Sequence, residues 1–166
     1  MTTADTEIAL ATRGDIPGIL TLQDANQLER GGTLTVRLPF EWFAAAITAL
    51  TVVVARRDGT IVGYVAATEP AAQAHLPVIQ AMLRAYPAGR GAYIYGPICV
   101  AESERGRGLA GALFDALRAR LPGRETITFI RSDNAASRHA HAKMGMREVA
   151  EFTHDGVAQV VVVYEG

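Results

Sequence analysis

Residues 105–111 read RGRGLAG, between an apolar run at 93–100, YIYGPICV, and an apolar-periodic run at 109–121, LAGALFDALRARL. A strand that feeds a glycine-rich turn at the start of a helix is an anion-binding device. The first N–H groups of a helix lack intrahelical partners, the aligned peptide dipoles add partial positive charge, and glycines let a phosphate approach without a Cβ in the way. Arg105 and Arg107 add two cationic forks at the same place.

Spacing separates the phosphate loops that such a stretch forms. A P-loop ends in Gly-Lys-Ser/Thr, and none follows Gly111. Gly106, Gly108 and Gly111 satisfy G-x-G-x-x-G literally. A dinucleotide-binding fold, however, places that motif in its opening strand-helix-strand unit, with more parallel strands and an acidic residue about 20 residues on. Only 55 residues follow Gly111, too few for the rest of such a domain. Arg105, Gly108 and Ala110 instead fill Arg/Gln-x-x-Gly-x-Gly/Ala, the pyrophosphate loop of the GNAT acyltransferases.

The chain resembles that family well beyond the loop. Ile98, Cys99 and Val100 stand where the family has an apolar-x-Val strand end, although Glu102 replaces its frequent proline. Asn134, Ser137, His141, Lys143, Gly145 and Met146 fall in register with the family pattern Asn-x-x-Ala/Ser-x-x-x-Tyr-x-Lys-x-Gly-Phe, with His141 for the tyrosine and Met146 for the phenylalanine. The opening strand and ATRGDIPGILTL at 11–22 look like the family's usual start. The resemblance implies an α/β (α+β) fold: a central mixed, mostly antiparallel sheet of about seven strands flanked by helices, with strands four and five parallel and splayed.

Gross properties agree with one compact enzyme domain spanning residues 1–166. A chain of this length buries about two-thirds of its unfolded surface, and 49% hydrophobic residues supply the core. A net charge of −1 argues against a nucleic-acid surface. The single Cys99 excludes an internal disulfide and fits a reducing cytosol. Asp5 and Glu7 interrupt the start before any signal-peptide core forms, and no apolar run reaches membrane-spanning length, so a cytoplasmic location is expected.

Strand and helix patterns alternate along the chain. Strands are expected at 7–11, in the hairpin TVVVARRDGTIVGYVAATE around Arg57-Asp58-Gly59, at 92–100, at 125–131, and in a closing hairpin, 147–154 and 157–164, around Asp155-Gly156. Helices are expected at 15–28, 39–50, 109–121 with Leu109, Leu113, Leu117 and Leu121 on one face, and 134–144 with Gly145 as its stop. Residues 70–91 carry an extra helix, HLPVIQAMLRAY, with helical spacing at Val78, Met82 and Tyr86. It reads as an insertion that shapes substrate access, covers a sheet edge or forms a dimer contact.

The resemblance assigns the cofactor, acetyl-CoA, to residues on both sides of the fourth strand's end. Backbone groups of Ile98, Cys99 and Val100 meet pantetheine as a pseudo-strand, and the segment Arg105, Gly106, Arg107, Gly108, Leu109, Ala110 and Gly111 holds pyrophosphate. On the last helix Asn134 and His141 project within about 20° of each other, with Ser137 on the same side. Asn134 contacts pantetheine or is a plain N-cap; Ser137 meets the phosphate end or the helix wall. Lys143 is a solvated lysine or a distant cofactor contact. His141 is a general acid for the departing thiolate, a cofactor contact, or an exposed helix histidine.

The expected reaction is direct transfer of acetyl to an amine, with a backbone N–H near Val100 stabilising the oxyanion. Cys99, in an apolar strand without a base partner, reads as core rather than nucleophile. Tyr93, Tyr95, Glu69, His75 and Glu102 are candidate bases. No metal is expected: His139 and His141 point about 200° apart on their helix. The acceptor side falls to residues 27–37, to the Trp42 and Phe43 helix and to the insertion, whose mixed charge selects no substrate. A small-molecule amine is the leading acceptor, ahead of peptide amines; a non-catalytic acyl-CoA sensor is the alternative. A homodimer through the C-terminal strands is compatible with the family.

Overall fold

The computed structural model describes residues 5–166 other than Thr33 and Thr35. Seven strands form one sheet in the order β1-β2-β3-β4-β5-β7-β6. They are β1 (Thr6–Leu10), β2 (Thr51–Arg57), β3 (Thr60–Thr68), β4 (Tyr93–Val100), β5 (Thr126–Arg131), β6 (Arg147–His154) and β7 (Val157–Tyr164). The helices are α1 (Ile16–Ala25), α2 (Phe40–Ala49), α3 (Pro77–Ala85), α4 (Leu109–Arg120) and α5 (Ala135–Lys143). The pairs β1–β2, β2–β3, β5–β7 and β6–β7 are antiparallel. The β4–β5 pair is parallel, and its register is short: Tyr93 opposite Thr126 and Ile94 opposite Ile127. Sheet and topology match the expectation from the sequence.

Both hairpins turn where the sequence places them. Asp58 and Gly59 have φ of 52° and 76°, and Asp155 and Gly156 have 50° and 76°. Two positive φ angles in a two-residue loop match the right-handed twist of the flanking strands, and Asp-Gly accepts that conformation readily. The closing hairpin returns β7 to pair with β5 and leaves β6 at the edge, where Glu148, Glu151 and Arg147 keep the strand polar.

Contacts divide the chain into two units. The first comprises the described part of Met1–Ala67 with Gly96–Arg120. Its core gathers Ile16, Ile19 and Leu22 of α1, Phe43 and Ala46 of α2, Val52 and Val54 of β2, Tyr64 and Ala66 of β3, and Cys99 of β4. In α4 the buried residues are Leu109, Leu113, Phe114 and Leu117. The stripe of leucines stops at Leu117 because the helix ends at Arg120, before Leu121, and Phe114 widens it.

The second unit comprises Thr68–Tyr95 with Leu121–Gly166. Here Ile79, Met82 and Leu83 of α3 pack with Ile94, Ile127, Val161 and Val163 in one cluster. The spacing Val78, Met82, Tyr86 therefore misjudges the buried face, since Val78 and Tyr86 are only partly covered. The helix α3 lies over β5 and β7 and also packs against the edge strand β6, through Val149, Ala150 and Phe152, so it covers that edge as well as the strands beside it. Three residues on consecutive turns make it a core layer of this unit. Glu69 and Arg124 close the same unit by a bidentate ion pair, in which Arg124 also lies over the Tyr93 ring at 5.6 Å.

Candidate functional site

Within the first unit, β4 ends at Val100, a short 3-10 turn spans Glu102–Glu104, and α4 begins at Leu109. Gly106 and Gly108 both have φ of 77°, and a Cβ at either would stand in open space. The chain therefore needs glycine here for backbone conformation rather than for room. Among the described residues, the amides of 106–111 donate to no carbonyl; the first helical bond runs from Ala112 N–H to Gly108 at 3.1 Å. Six successive donors at the start of a twelve-residue helix form a concave positive array that suits a pyrophosphate.

The two arginines of the loop have different partners within the protein. Arg105 donates from Nη2 to Asn26 Oδ1 and from Nε to the Val100 carbonyl, the latter at 3.4 Å. Arg107 is exposed and stands 3.8 Å from Glu104, whose carboxylate is 2.9 Å from Arg57. Glu104 is buried, so this pair ties the turn before the loop to the end of β2. The backbone amides and the exposed Arg107 guanidinium are thus the donors the loop presents, while Arg105 is engaged by Asn26 and Val100.

Along β4, Cys99 is buried in the core while Ile98 and Val100 are half-buried, the alternation a strand imposes. Burial pushes the Cys99 thiol up to about 12, with the Arg105 charge opposing. A thiol so seldom ionised is no nucleophile.

Within the second unit, α5 carries the remaining candidates. Asn134 is the N-cap, its side-chain oxygen accepting the Ser137 N–H at 3.1 Å. The plain cap of the sequence reading is thus present, and only the Asn134 NH2 is left for another partner. Lys143 is exposed in the last turn. His141 is buried at 7% exposure, so the exposed-histidine reading does not hold. Its Nδ1 stands 2.7 Å from the Ser137 carbonyl and 3.3 Å from the Ser137 hydroxyl, and the ring meets Tyr95 edge-on at 5.6 Å. A carbonyl only accepts, so Nδ1 carries the proton and Nε2 presents a lone pair. Burial lowers the imidazole pKa, the bond to Ser137 opposing in part. His139 is exposed, as the helical spacing requires.

The candidate bases are also placed. Burial raises the Tyr95 phenol, Tyr93 is buried beneath Arg124, and Glu69 is held by Arg124, which lowers its pKa. None of these three is disposed to take a proton from an ammonium. His75 and Glu102 are exposed.

On the expected acceptor side, Thr33 and Thr35 lie outside the described residues. Around them the charges pair among themselves: Asp24 meets Arg30 and Arg37, and Arg37 meets Glu29. Three buried amides stand at the end of α1, Gln23 in its last turn, Asn26 at its C-cap and Gln27 just beyond; none was singled out as buried from the sequence. Their i, i+3, i+4 spacing was the available signal. Gln23 exchanges two hydrogen bonds with the Leu38 backbone, at 2.9 and 3.0 Å, and Gln27 donates to the Val36 carbonyl at 3.0 Å. An open depression of about 320 Å³ is lined by Leu20, Gln23, Arg37, Leu38 and Pro39.

The sequence matches the model of the acetyltransferase (GNAT) family over residues 17–146. The chain belongs to the GNAT family. Solved structures agree on the fold. An N-acetyltransferase from Staphylococcus aureus Mu50 has a TM-score of 0.71 at 20% identity, covering 97% of this chain and 98% of that one. A putative acetyltransferase from Salmonella typhimurium, solved with acetyl-CoA, has 0.71 at 18%, covering 97% and 94%. A ribosomal-protein-alanine N-acetyltransferase from Brucella melitensis has 0.67 at 22%, covering 96% and 99%. No curated protein matches this GNAT chain in sequence. Among the described residues no helix is long and apolar enough to cross a membrane, and no group of three or more His, Cys, Asp and Glu is arranged to hold a metal ion.

Proposed function

We propose that this GNAT acyltransferase moves an acetyl group from acetyl-CoA directly to a primary amine of a small molecule, as one domain that includes both units. The six uncommitted amides of 106–111 carry the reading, because they suit the pyrophosphate of CoA and little else in the chain explains them. Acetyl-CoA, when bound, supplies an activated acyl thioester.

In this reading the amides of Gly106 to Gly111 bind the diphosphate, with Arg107 as an outer charge. The backbone of Ile98, Cys99 and Val100 orients the amide-rich arm, and the Val100 N–H stabilises negative charge on the acyl oxygen. Asn134 offers its NH2, Ser137 its hydroxyl, and Lys143 an outer cation. His141 acts as a neutral ring: Nδ1–H is committed to Ser137, and Nε2 accepts a hydrogen bond rather than delivering a proton.

A small amine is favoured on the acceptor side. The charges of Asp24, Glu29, Arg30 and Arg37 neutralise one another and offer no strip of one sign to a macromolecular partner. The depression beside Gln23 is of a size that small ligands use. The structural likeness to a ribosomal-protein-alanine acetyltransferase favours a peptide N-terminus as the second reading. A panel of free amines, amino acids and N-terminal peptides, assayed for acceptor-dependent CoA release, separates them. Turnover with small amines supports the proposal; turnover with peptides alone replaces it with the second reading.

A further inference from the structure

Of the three amides at the end of α1, two suspend the segment that follows, but Asn26 is different. It is 4% exposed, its Nδ2 donates to the Leu22 carbonyl at 2.9 Å, and its Oδ1 accepts from Arg105 at 2.5 Å. A buried amide oxygen facing a guanidinium makes a charge-assisted bond, among the stronger ones a side chain forms. The same guanidinium reaches the Val100 carbonyl. One side chain thus joins the last residue of β4 to the C-cap of α1, while its own backbone opens the amide array.

Asn26 also holds the other side. Its backbone carbonyl accepts the Leu34 N–H at 3.0 Å. Gly32 closes on it so tightly that a Cβ there would stand 2.0 Å from the Asn26 oxygen.

We propose that Asn26 is a positioning residue for cofactor binding, a strut that fixes the loop at 105–111 through Arg105 and ties it to Gly32 and Leu34. The strut rests on the acetyl-CoA reading above. An amide array binds an anion well only if its donors are already aimed, since ordering them on binding costs affinity. Arg105 acts in this scheme through Asn26 and Val100 rather than as a phosphate fork.

The test is a double-mutant cycle on CoA affinity by calorimetry, with wild type, Asn26→Ala, Arg105→Ala and the double variant. The strut predicts about tenfold weaker CoA binding for each single variant, the size expected for one charge-assisted hydrogen bond. The double variant then binds no worse than Arg105→Ala, and Arg105→Lys recovers part of the loss. Additive losses in the double variant overturn the strut, because Arg105 then acts on the ligand itself. CoA binding by Asn26→Ala equal to wild type also overturns it. If Asn26→Ala does not fold, Asn26→Asp keeps the acceptor for Arg105: wild-type CoA affinity supports the strut, and a loss matching Arg105→Ala overturns it. A wild-type protein that does not bind CoA fails the underlying function instead.

Discussion

His141 Nδ1 stands 2.7 Å from the carbonyl oxygen of Ser137, one helical turn back, and this contact fixes which nitrogen of the ring bears the proton. Burial lowers its pKa as well, so in the proposed reaction His141 acts as a neutral ring. General acids contribute about 10²–10⁴ in rate. Replacing His141 by Phe is therefore expected to lower kcat by less than about 100-fold, with no descending limb traceable to this ring as pH rises past neutrality. Rate measurements from pH 6 to 9 on both proteins check this.

The same residue sets a stability dependence. A histidine whose folded pKa lies below its unfolded value binds fewer protons folded than unfolded, so stability is full above the unfolded pKa and falls as pH drops toward the folded one. Melting temperature is expected to fall on acidification below about pH 6.5, the ordinary imidazole value. His141→Phe flattens that part of the profile, leaving what carboxylates contribute at lower pH. An unchanged slope in the variant would show that other groups set it.

Met82 is fully buried in α3 with Ile79 and Leu83. Truncating a core methionine removes apolar burial and leaves a cavity, at a cost of about 2–5 kcal/mol. Met82→Ala is expected to lose that much in denaturant unfolding. A loss below about 1 kcal/mol would show that the 77–85 helix is not a core layer of its unit.

Gly108 sits at φ of 77°. Gly108→Ala forces an L side chain into the left-handed region at about 1–2 kcal/mol and narrows the approach to the amides. Expected are a modest drop in stability and a much larger drop in CoA affinity. Equal affinity in the variant would show that the loop does not hold the phosphates.

Burial that pushes the Cys99 thiol up to about 12 also makes it inert. A thiol reagent at pH 7.5 is expected to leave the native protein unmodified and to titrate one thiol after unfolding. Cys99→Ala is expected to retain activity, since the role proposed for the strand there is a backbone one.

Much of this was legible in the sequence because it is local. The Asp-Gly turns, the Arg105 to Ala110 spacing and the Asn134 cap each depend on a few consecutive residues, and the structure holds them in place. Long-range contacts were not legible. The Arg105–Asn26 bond spans 79 positions, so nothing in RGRGLAG announces that its first arginine is committed elsewhere. The buried face of α3 was misjudged because Val78, Met82 and Tyr86 satisfy helical spacing as well as Ile79, Met82 and Leu83 do. Only the strands beneath decide between them. His141 looked polar on a helical wheel, whereas Tyr95, 46 residues earlier, helps to bury it.

The central claim is that the amide array of 106–111 receives CoA. Its most direct test is a calorimetric titration of the wild-type protein with acetyl-CoA, with NAD and ATP as competitors. Saturable acetyl-CoA binding that neither nucleotide displaces is the result predicted. Preferential binding of NAD or ATP, or no acetyl-CoA binding by folded protein, would contradict it.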